Sequence, residues 1–316
     1  MVKNNKLNLL AELFCYFTAR YPNRLSLKPV TYIMIKRTVP YFPAIFALFF
    51  LGSLSANAQY YYKDIWSNDQ LVKEFNILKR DRLKTIKLKS FDDDGEPSDG
   101  FFCEREINKS YTQSQMVSKS NITGQSLMVS DYNTAGQPVK TTDDTPTITN
   151  TTEFAYNDKG KVTLVRAMTK AEDDSLPITE THEYFYDQDG RPEKMLRKQN
   201  NVLMTTIHFV SDANGNTIEE DVVETSTSDR NYYYYYDEKN RLTDVVHYDG
   251  RAKRLLPSFM YAYQDLDAPE QMISTEDGGG NYLIWKYDYN DRGLRASEKC
   301  FSKDSRLLGS IQYEYQ

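Results

Sequence analysis

A short phrase recurs along this chain about every 26 residues: an aromatic residue, then Asp or Asn, two variable residues and Gly. Clear copies begin at Phe91, Tyr132, Tyr156, Tyr186 and Tyr289. Degenerate copies begin at Ser211, Tyr236 and Tyr263, and a further one starts at Tyr315. Self-similarity at a fixed period of this length predicts a repeat architecture. The wider step from Phe91 to Tyr132 indicates an insertion or an eroded copy.

Each phrase has the composition of a tight turn between two strands. The Asp or Asn side chain accepts local backbone hydrogen bonds, and Gly tolerates the positive φ that such a turn requires. Residues 181–186 before one turn and 161–165 after another alternate as strands do. Residues 83–316 are therefore predicted to be all-β, an antiparallel meander of repeated hairpins without helices. We expect one curled or spiral sheet that stays open, like half of a barrel.

Aromatic residues occur both at the start of the phrase and two residues before it. Residues two apart on a strand share a face, so successive copies build a ladder of rings. One interpretation is a core stripe, in which each Tyr buries its ring while its hydroxyl reaches solvent or a backbone carbonyl. The other is a ligand-binding surface. The residues assigned to that surface are Tyr156, Tyr184, Tyr186, Tyr234, Tyr236, Tyr261, Tyr263, Trp285, Tyr287 and Tyr289.

The N-terminal residues have the pattern of an export signal. A basic start at Lys36-Arg37, an apolar stretch and Ala56-Asn57-Ala58 indicate a signal peptide over residues 34–58. Residues 1–33 are then an upstream extension, with Met34 the true start. The alternative is an uncut membrane anchor, but the apolar stretch is short for a span. We expect export to the periplasm, the outer surface or the medium, with no membrane span after cleavage.

Residues 59–82 lie between the signal and the repeats. Ser67 or Asn68 is predicted to cap a short helix that carries Leu71, Phe75 and Leu78 on one face. Repeat arrays need terminal caps, so this segment is expected to cover the exposed first edge of the sheet.

The net charge of the chain restricts the classes of molecule that it can bind. The formal net charge is −6, and leaving out the first 58 residues, with seven basic side chains and one acidic, makes it −12. Such a surface opposes binding of nucleic acid or anionic lipid. Cys103 and Cys300 are the cysteines of the exported part, and whether they form a disulfide stays open.

No recognisable chemistry accompanies the repeats. The histidines His182, His208 and His247 stand at different positions in the repeat and are not expected to converge. No His or Cys pair has metal-ligand spacing, and no catalytic or cofactor-binding motif is present. We predict no metal, no cofactor and no catalytic residues.

The phrase resembles the YD repeat of RHS-like proteins, in the small exported bacterial type. The resemblance is clearest at residues 184–191 and 234–242, where Tyr-x-Tyr-Asp is followed by Gly or Asn and then Arg. It implies an extended antiparallel sheet that spirals or curls, with roles in carbohydrate binding and cell-surface contact.

These features favour an exported, non-enzymatic repeat scaffold that binds a glycan or a protein at the bacterial cell envelope. One alternative is an outer-membrane β-barrel, which many short antiparallel strands would suit. Charged residues within strands, such as Glu183, Lys286 and Glu314, oppose a lipid-facing band. The other alternative is a polysaccharide-active enzyme.

Overall fold

The computed structural model describes residues 60–316 except 122, 173–175, 225–230, 251 and 276–279, so the predicted extension and signal peptide lie outside the described residues. The described residues form helix α1 (Tyr62–Arg80) and then eighteen strands. The strands are β1 (Thr85–Phe91), β2 (Phe102–Ile107), β3 (Gln113–Ser120), β4 (Gly124–Tyr132), β5 (Pro138–Asp144), β6 (Ile148–Tyr156), β7 (Val162–Ala171), β8 (Ile178–Tyr186), β9 (Pro192–Gln199), β10 (Val202–Ser211), β11 (Thr217–Glu224), β12 (Tyr232–Tyr236), β13 (Leu242–Asp249), β14 (Arg254–Ala262), β15 (Gln271–Thr275), β16 (Tyr282–Tyr289), β17 (Arg295–Ser302) and β18 (Leu307–Tyr315).

The strands close into an up-and-down barrel. Each strand pairs antiparallel with the next, and β1 pairs with β18 from Ile86 opposite Tyr315 to Phe91 opposite Ser310. The predicted all-β antiparallel meander is confirmed, but the predicted open, curled sheet is wrong. An open sheet would leave the backbone N–H and C=O groups of β1 and β18 unpaired, whereas closure removes both edges.

The recurring phrase forms the tight reversal that its residues predict. In one copy, the Gly160 N–H donates to the carbonyl of Asn157 at 2.9 Å. The Asn157 side-chain Oδ1 accepts the N–H groups of Lys159 and Lys161 at 3.0 and 2.9 Å, and Gly160 has φ +74°. The strand register shifts just before Tyr156, so this turn begins with a β-bulge, and the same shift precedes the turns at Tyr132, Tyr186, Ser211, Tyr236 and Tyr289. Equivalent side-chain bonds recur at Asn133, Asp212, Asp237 and Asn290.

The irregular first step has a structural explanation. The turn after Phe91 joins β1 to β2, whereas the other phrase turns follow even-numbered strands and lie at the opposite end of the barrel. The eroded copy lies at the end of the barrel where the other phrase turns lie, and it begins at Ile107, the last residue of β2. Asn108 Oδ1 accepts the N–H groups of Thr112 and Gln113, and Tyr111 has φ +56° where other copies have Gly. Because neither Gly nor an opening aromatic is present, the copy is not recognisable from sequence.

Helix α1 runs through the lumen. Asn68 donates to Tyr156 Oη on β6 at 2.8 Å, and the Trp66 ring lies 5.3 Å from that of Tyr261 on β14. A helix outside a closed barrel could touch only neighbouring strands, so these contacts place it inside. The helix begins at Tyr62, before the predicted caps Ser67 and Asn68. It does not cover the edge of β1, which pairs with β18.

No helix in the described part of the chain combines the length and the apolar character needed to cross a bilayer.

The width of the barrel explains why its inner wall is aromatic. Eighteen strands about 4.8 Å apart make a circular barrel at least about 27 Å across, and a helix with its side chains is about 10–12 Å across. The remaining gap of roughly 8 Å on each side is about the reach of a Tyr side chain. Tyr61 and Ile65 accordingly pack in one core cluster with Phe154 and Tyr184, and Tyr60 packs in another with Tyr234.

The outer wall is charged. Lys89 pairs with Glu314, and Lys198 pairs with Glu183 at 2.7 Å, both across neighbouring strands on the outer face. Apolar side chains also lie there, and Phe185 and Tyr235 are 40% and 49% exposed. The side chains one residue before the phrase, such as these two, thus lie on the outer face.

Candidate functional site

Six of the tyrosines that open a phrase are fixed by a hydrogen bond from the hydroxyl group to a backbone carbonyl. Tyr156 Oη donates to the carbonyl of Pro138 at 2.7 Å, and Tyr186 Oη donates to that of Val162 at 2.6 Å. In both cases the acceptor is the sixth residue after the opening position of the preceding copy. The same relationship joins Tyr236 to Thr217, Tyr263 to Leu242, Tyr289 to Pro269 and Tyr315 to Arg295. Five predicted site residues therefore link neighbouring hairpins through their hydroxyls.

The rings two residues before the phrase face α1. Tyr184, Tyr234 and Tyr261 are only 3%, 2% and 8% exposed. The Tyr234 ring lies 5.2 Å from that of Tyr62, at a steep angle. These three rings pack in the core with the helix, as the core-stripe interpretation predicts.

Trp285 and Tyr287 complete the set on β16. Trp285 is buried on the lumen side, and Tyr287 is half-buried. The Arg295 guanidinium lies over the Tyr287 ring, 4.3 Å from its centroid. All ten predicted site residues thus share the lumen face, but they are spread from β6 to β16 rather than gathered in one cluster. That they bind a ligand stays a prediction.

A buried ionic cluster joins the start of α1 to the wall. His182 Nδ1 lies 2.6 Å from Asp64 Oδ2, and His182 Nε2 lies 3.0 Å from Glu180 Oε1. Arg197 donates to Glu180 Oε2 at 2.9 Å, and Tyr184 Oη donates to Asp64 Oδ2 at 2.8 Å. Asp64, Glu180 and His182 are each at most 4% exposed. The cluster therefore anchors the helix to β8.

The charges in this cluster stabilise one another. Burial opposes the imidazolium form of His182, but the carboxylates of Asp64 and Glu180 outweigh it and raise the pKa of His182 to about 9. Burial likewise opposes the ionised form of Glu180, yet hydrogen bonds from His182 and Arg197 lower its pKa to about 2. At neutral pH the cluster consists of paired ions.

The carboxylate of Glu220 binds the backbone at the start of α1. Its carboxylate accepts the backbone N–H groups of Tyr61 at 2.8 and 2.9 Å and of Tyr62 at 2.9 Å, and the hydroxyl of Tyr234 at 2.7 Å. An acceptor at this position satisfies N–H groups that a helix start leaves without intrahelical partners. Glu220 is fully buried, and this burial raises its pKa to about 7 despite the four hydrogen bonds.

A second buried pair lies across the lumen on β17. Arg295 Nη1 donates to Glu298 Oε2 at 3.0 Å, while the other carboxylate oxygen, Glu298 Oε1, is buried and has no hydrogen-bond partner within the described part of the chain. Burial raises the pKa of Glu298 to about 8, although Arg295 opposes the rise. The Glu298 side chain is 2% exposed, but that of Arg295 is 29% exposed.

No group of three His, Cys, Asp or Glu side chains within the described ranges is placed to hold a metal ion. His208 lies on the outer face of β10, whereas His247 is buried and hydrogen-bonded to Ser258. Cys103 and Cys300 do not form a disulfide. They lie three strands apart, about 14 Å, which is too far for one.

Sequence analysis missed the buried ions but contained a signal for part of them. His182 stands four residues before its phrase and Glu180 six, so both share the face of Tyr184 and Tyr186. Even spacing from the phrase therefore indicated a lumen position. Asp64 carried no such signal, because it comes from the helix.

No protein-family model and no curated protein matches this sequence. Among solved structures, a porin-like protein from Bacteroides uniformis matches 74% of this chain and 96% of its own, with 12% identity and a TM-score of 0.35. A porin-like protein from Bacteroides vulgatus matches 74% and 98%, with 11% identity and a TM-score of 0.24. TcdB2-TccC3-TEV matches 66% of this chain but 14% of its own, with 11% identity and a TM-score of 0.28. Similarity at this level does not identify a function.

Proposed function

We propose that this chain is an exported, non-enzymatic β-barrel scaffold that binds a glycan or a protein at the bacterial cell envelope. The observation that carries the proposal is the charge on the outer face of the wall. That face carries ion pairs across neighbouring strands, such as Lys89 with Glu314 and Lys198 with Glu183, whereas α1 occupies the lumen. A membrane barrel presents an apolar outer band to lipid, which these charges would interrupt.

The helix also favours a scaffold over a channel. It is held at its start by Glu220 and the Asp64 cluster, and near its end by Phe75, whose ring stacks on that of Tyr132 at 3.8 Å. A plug fixed at both ends blocks free passage along the barrel axis. The exposed phenylalanine side chains of the outer wall, Phe102 and Phe185, supply contact surface for a partner.

An outer-membrane β-barrel is the second candidate. Closure of an even number of antiparallel strands into an up-and-down barrel favours it, since outer-membrane barrels share this architecture. Arg or Lys facing lipid at the bilayer centre costs roughly 2–4 kcal/mol each, and Lys286 and Lys299 face outward opposite each other on β16 and β17.

Two measurements test the proposal. Residues 59–316 are expected to stay monodisperse in buffer without detergent and to bind on a glycan array or retain an envelope protein. Recovery only from detergent-extracted outer membranes would favour the second candidate. Hydrolysis of an envelope polysaccharide by the purified chain would replace the scaffold with an enzyme. The resemblance to YD-repeat proteins stays a prediction, supported by the hydroxyl-to-carbonyl bond that recurs from copy to copy.

A further inference from the structure

We propose that the lumen wall of β16, β17 and β18 contains a binding site for a neutral pyranose sugar, built from Tyr287, Arg295 and Glu298. This inference rests on the glycan-binding part of the proposed function and specifies its location.

The first step is an asymmetry in how α1 covers the wall. At the same position of the repeat, two residues before the phrase, Tyr184, Tyr234 and Tyr261 are buried. Tyr287 and Tyr313 at that position are half-buried. The described ring contacts of Tyr61 and α1 reach β4, β8, β12 and β14, but none of them reaches β16. The rings of Tyr287 and Tyr313 are therefore less covered than those of Tyr184, Tyr234 and Tyr261.

The second step is the pair of polar groups beside this ring. Arg295 lies over Tyr287 and donates to Glu298 Oε2, while 29% of its side chain remains exposed. Glu298 Oε1 is buried without a hydrogen-bond partner among the residues that the structure describes. A buried acceptor left without a donor is unfavourable, so a ligand hydroxyl that donates to it would recover free energy.

The third step is the chemistry that fits all three groups. A carboxylate accepts hydrogen bonds, a guanidinium donates them, and a tyrosine ring offers an apolar face. A sugar ring has hydroxyls that both donate and accept, and C–H groups that pack on an aromatic face. Neighbouring hydroxyls of one pyranose would donate to Glu298 and accept from Arg295. The formal net charge of residues 59–316, −12, opposes binding of an acidic sugar and therefore favours a neutral one.

The test is isothermal titration calorimetry of residues 59–316 with a panel of neutral gluco-, galacto- and manno-configured oligosaccharides. At least one is expected to bind. Tyr287→Leu, which keeps apolar bulk but removes the ring, and Glu298→Gln are each expected to weaken binding by about tenfold or more. The matched control is Tyr235→Leu, which changes an exposed ring on the outer wall and is expected to leave affinity unchanged.

Each result has a separate meaning. Unchanged affinity in Tyr287→Leu and Glu298→Gln, with the wild type binding, overturns this site but keeps the glycan function. An equal loss in Tyr235→Leu places the sugar on the outer wall and also overturns the site. If the wild type binds no sugar of the panel, the glycan part of the proposed function fails together with the site. Far-UV circular dichroism and the melting temperature of each variant separate lost binding from lost folding. If Tyr287→Leu does not fold, Tyr287→Phe replaces it in the test. This variant keeps the ring and is expected to retain affinity.

Discussion

The hydroxyl of Tyr186 donates a hydrogen bond of 2.6 Å to the backbone carbonyl of Val162, the residue that lies opposite the opening tyrosine of the preceding copy. The β-bulge between Ala155 and Tyr156 disturbs the ladder at this point, and the tyrosine of the next hairpin reaches the carbonyl. Two of the acceptors are Pro138 and Pro269. Proline is tolerated because the bond requires a carbonyl and not an N–H group. The recurring Tyr is thus explained by a bond between copies.

Removing this hydroxyl is expected to lower stability. Tyr186→Phe leaves the ring in place but removes the donor to Val162, so the free energy of unfolding should fall by about 1 kcal/mol. Tyr235→Phe is the control, because Tyr235 faces outward and is 49% exposed. Tyr263→Phe is expected to add to Tyr186→Phe, since the two lie far apart on the barrel. Urea denaturation compares the wild type, the three single variants and the double variant Tyr186→Phe with Tyr263→Phe, and equal midpoints for Tyr186→Phe and Tyr235→Phe would contradict the role of the bond.

Local features of the fold were predictable from sequence, whereas its closure was not. The turn at Asn157 to Gly160 and the shared face of Tyr184 and Tyr186 follow from residue type and from the two-residue period of a strand. Closure depends on the number of strands and on pairing between residues more than 220 positions apart, as for Lys89 and Glu314. No repeat period contains that information.

The buried ions of the candidate site show the same limit. The lumen position of Glu220 becomes meaningful only when α1 supplies the N–H groups of Tyr61 and Tyr62. The sequence predicts a helix within residues 59–82, but it places that helix over the first edge of the sheet. A helix inside the barrel supplies hydrogen-bond donors to side chains of the wall, and no pattern within the strand sequences indicates those donors.

The glycine of the phrase is required for its backbone conformation. Gly190 has φ +81°, and a methyl group added there would meet nothing closer than the Lys159 side chain at 3.8 Å. Gly190→Ala should therefore cost roughly 1–2 kcal/mol through backbone strain and not through a clash. Gly250→Ala is the matched control, because Gly250 has no such φ and no neighbour within 4 Å. Similar melting temperatures for the two variants would show that the turn relaxes without cost.

Closure of the barrel can be tested with an engineered disulfide. Lys89 on β1 and Gln312 on β18 lie directly opposite each other on the outer wall. Opposed residues on antiparallel strands have Cβ atoms about 4.5–5.5 Å apart, so Lys89→Cys with Gln312→Cys should cross-link under mild oxidation. Lys89→Cys with Lys286→Cys, three strands apart, should not. Peptide mapping by mass spectrometry detects the bond, and its absence in the first pair would indicate an open sheet.

The helix is expected to contribute to stability through its buried face. Phe75 is 1% exposed and stacks on Tyr132, so Phe75→Ala should lower the free energy of unfolding by about 3–5 kcal/mol. Lys73→Ala, on an exposed position of the same helix, should change it little. Chemical denaturation compares the two. A small effect of Phe75→Ala would mean that the barrel is stable without the helix in its lumen.

Stability is expected to decrease as pH rises from about 5 to about 9, because the most strongly buried groups have raised pKa values. A raised folded-state pKa gives stability that is complete below the unfolded pKa and is lost as pH rises through the folded one. This holds for Glu220, with a pKa of about 7, for Glu298, about 8, and for His182, about 9. Glu180, with a pKa of about 2, acts in the opposite sense, so its contribution is lost only in strong acid.

Glu220→Gln tests the assignment of this pH dependence. The glutamine keeps an oxygen to accept the N–H groups of Tyr61 and Tyr62 but cannot ionise, so the loss of stability between about pH 5 and 8 should become smaller. Glu238→Gln, at an exposed turn position, should leave the pH profile unchanged. Melting temperatures measured across this range at constant ionic strength provide the comparison. A wild-type profile that is flat or rises toward pH 8 would contradict the burial of these carboxyl groups, because their ionisation without solvent must cost free energy.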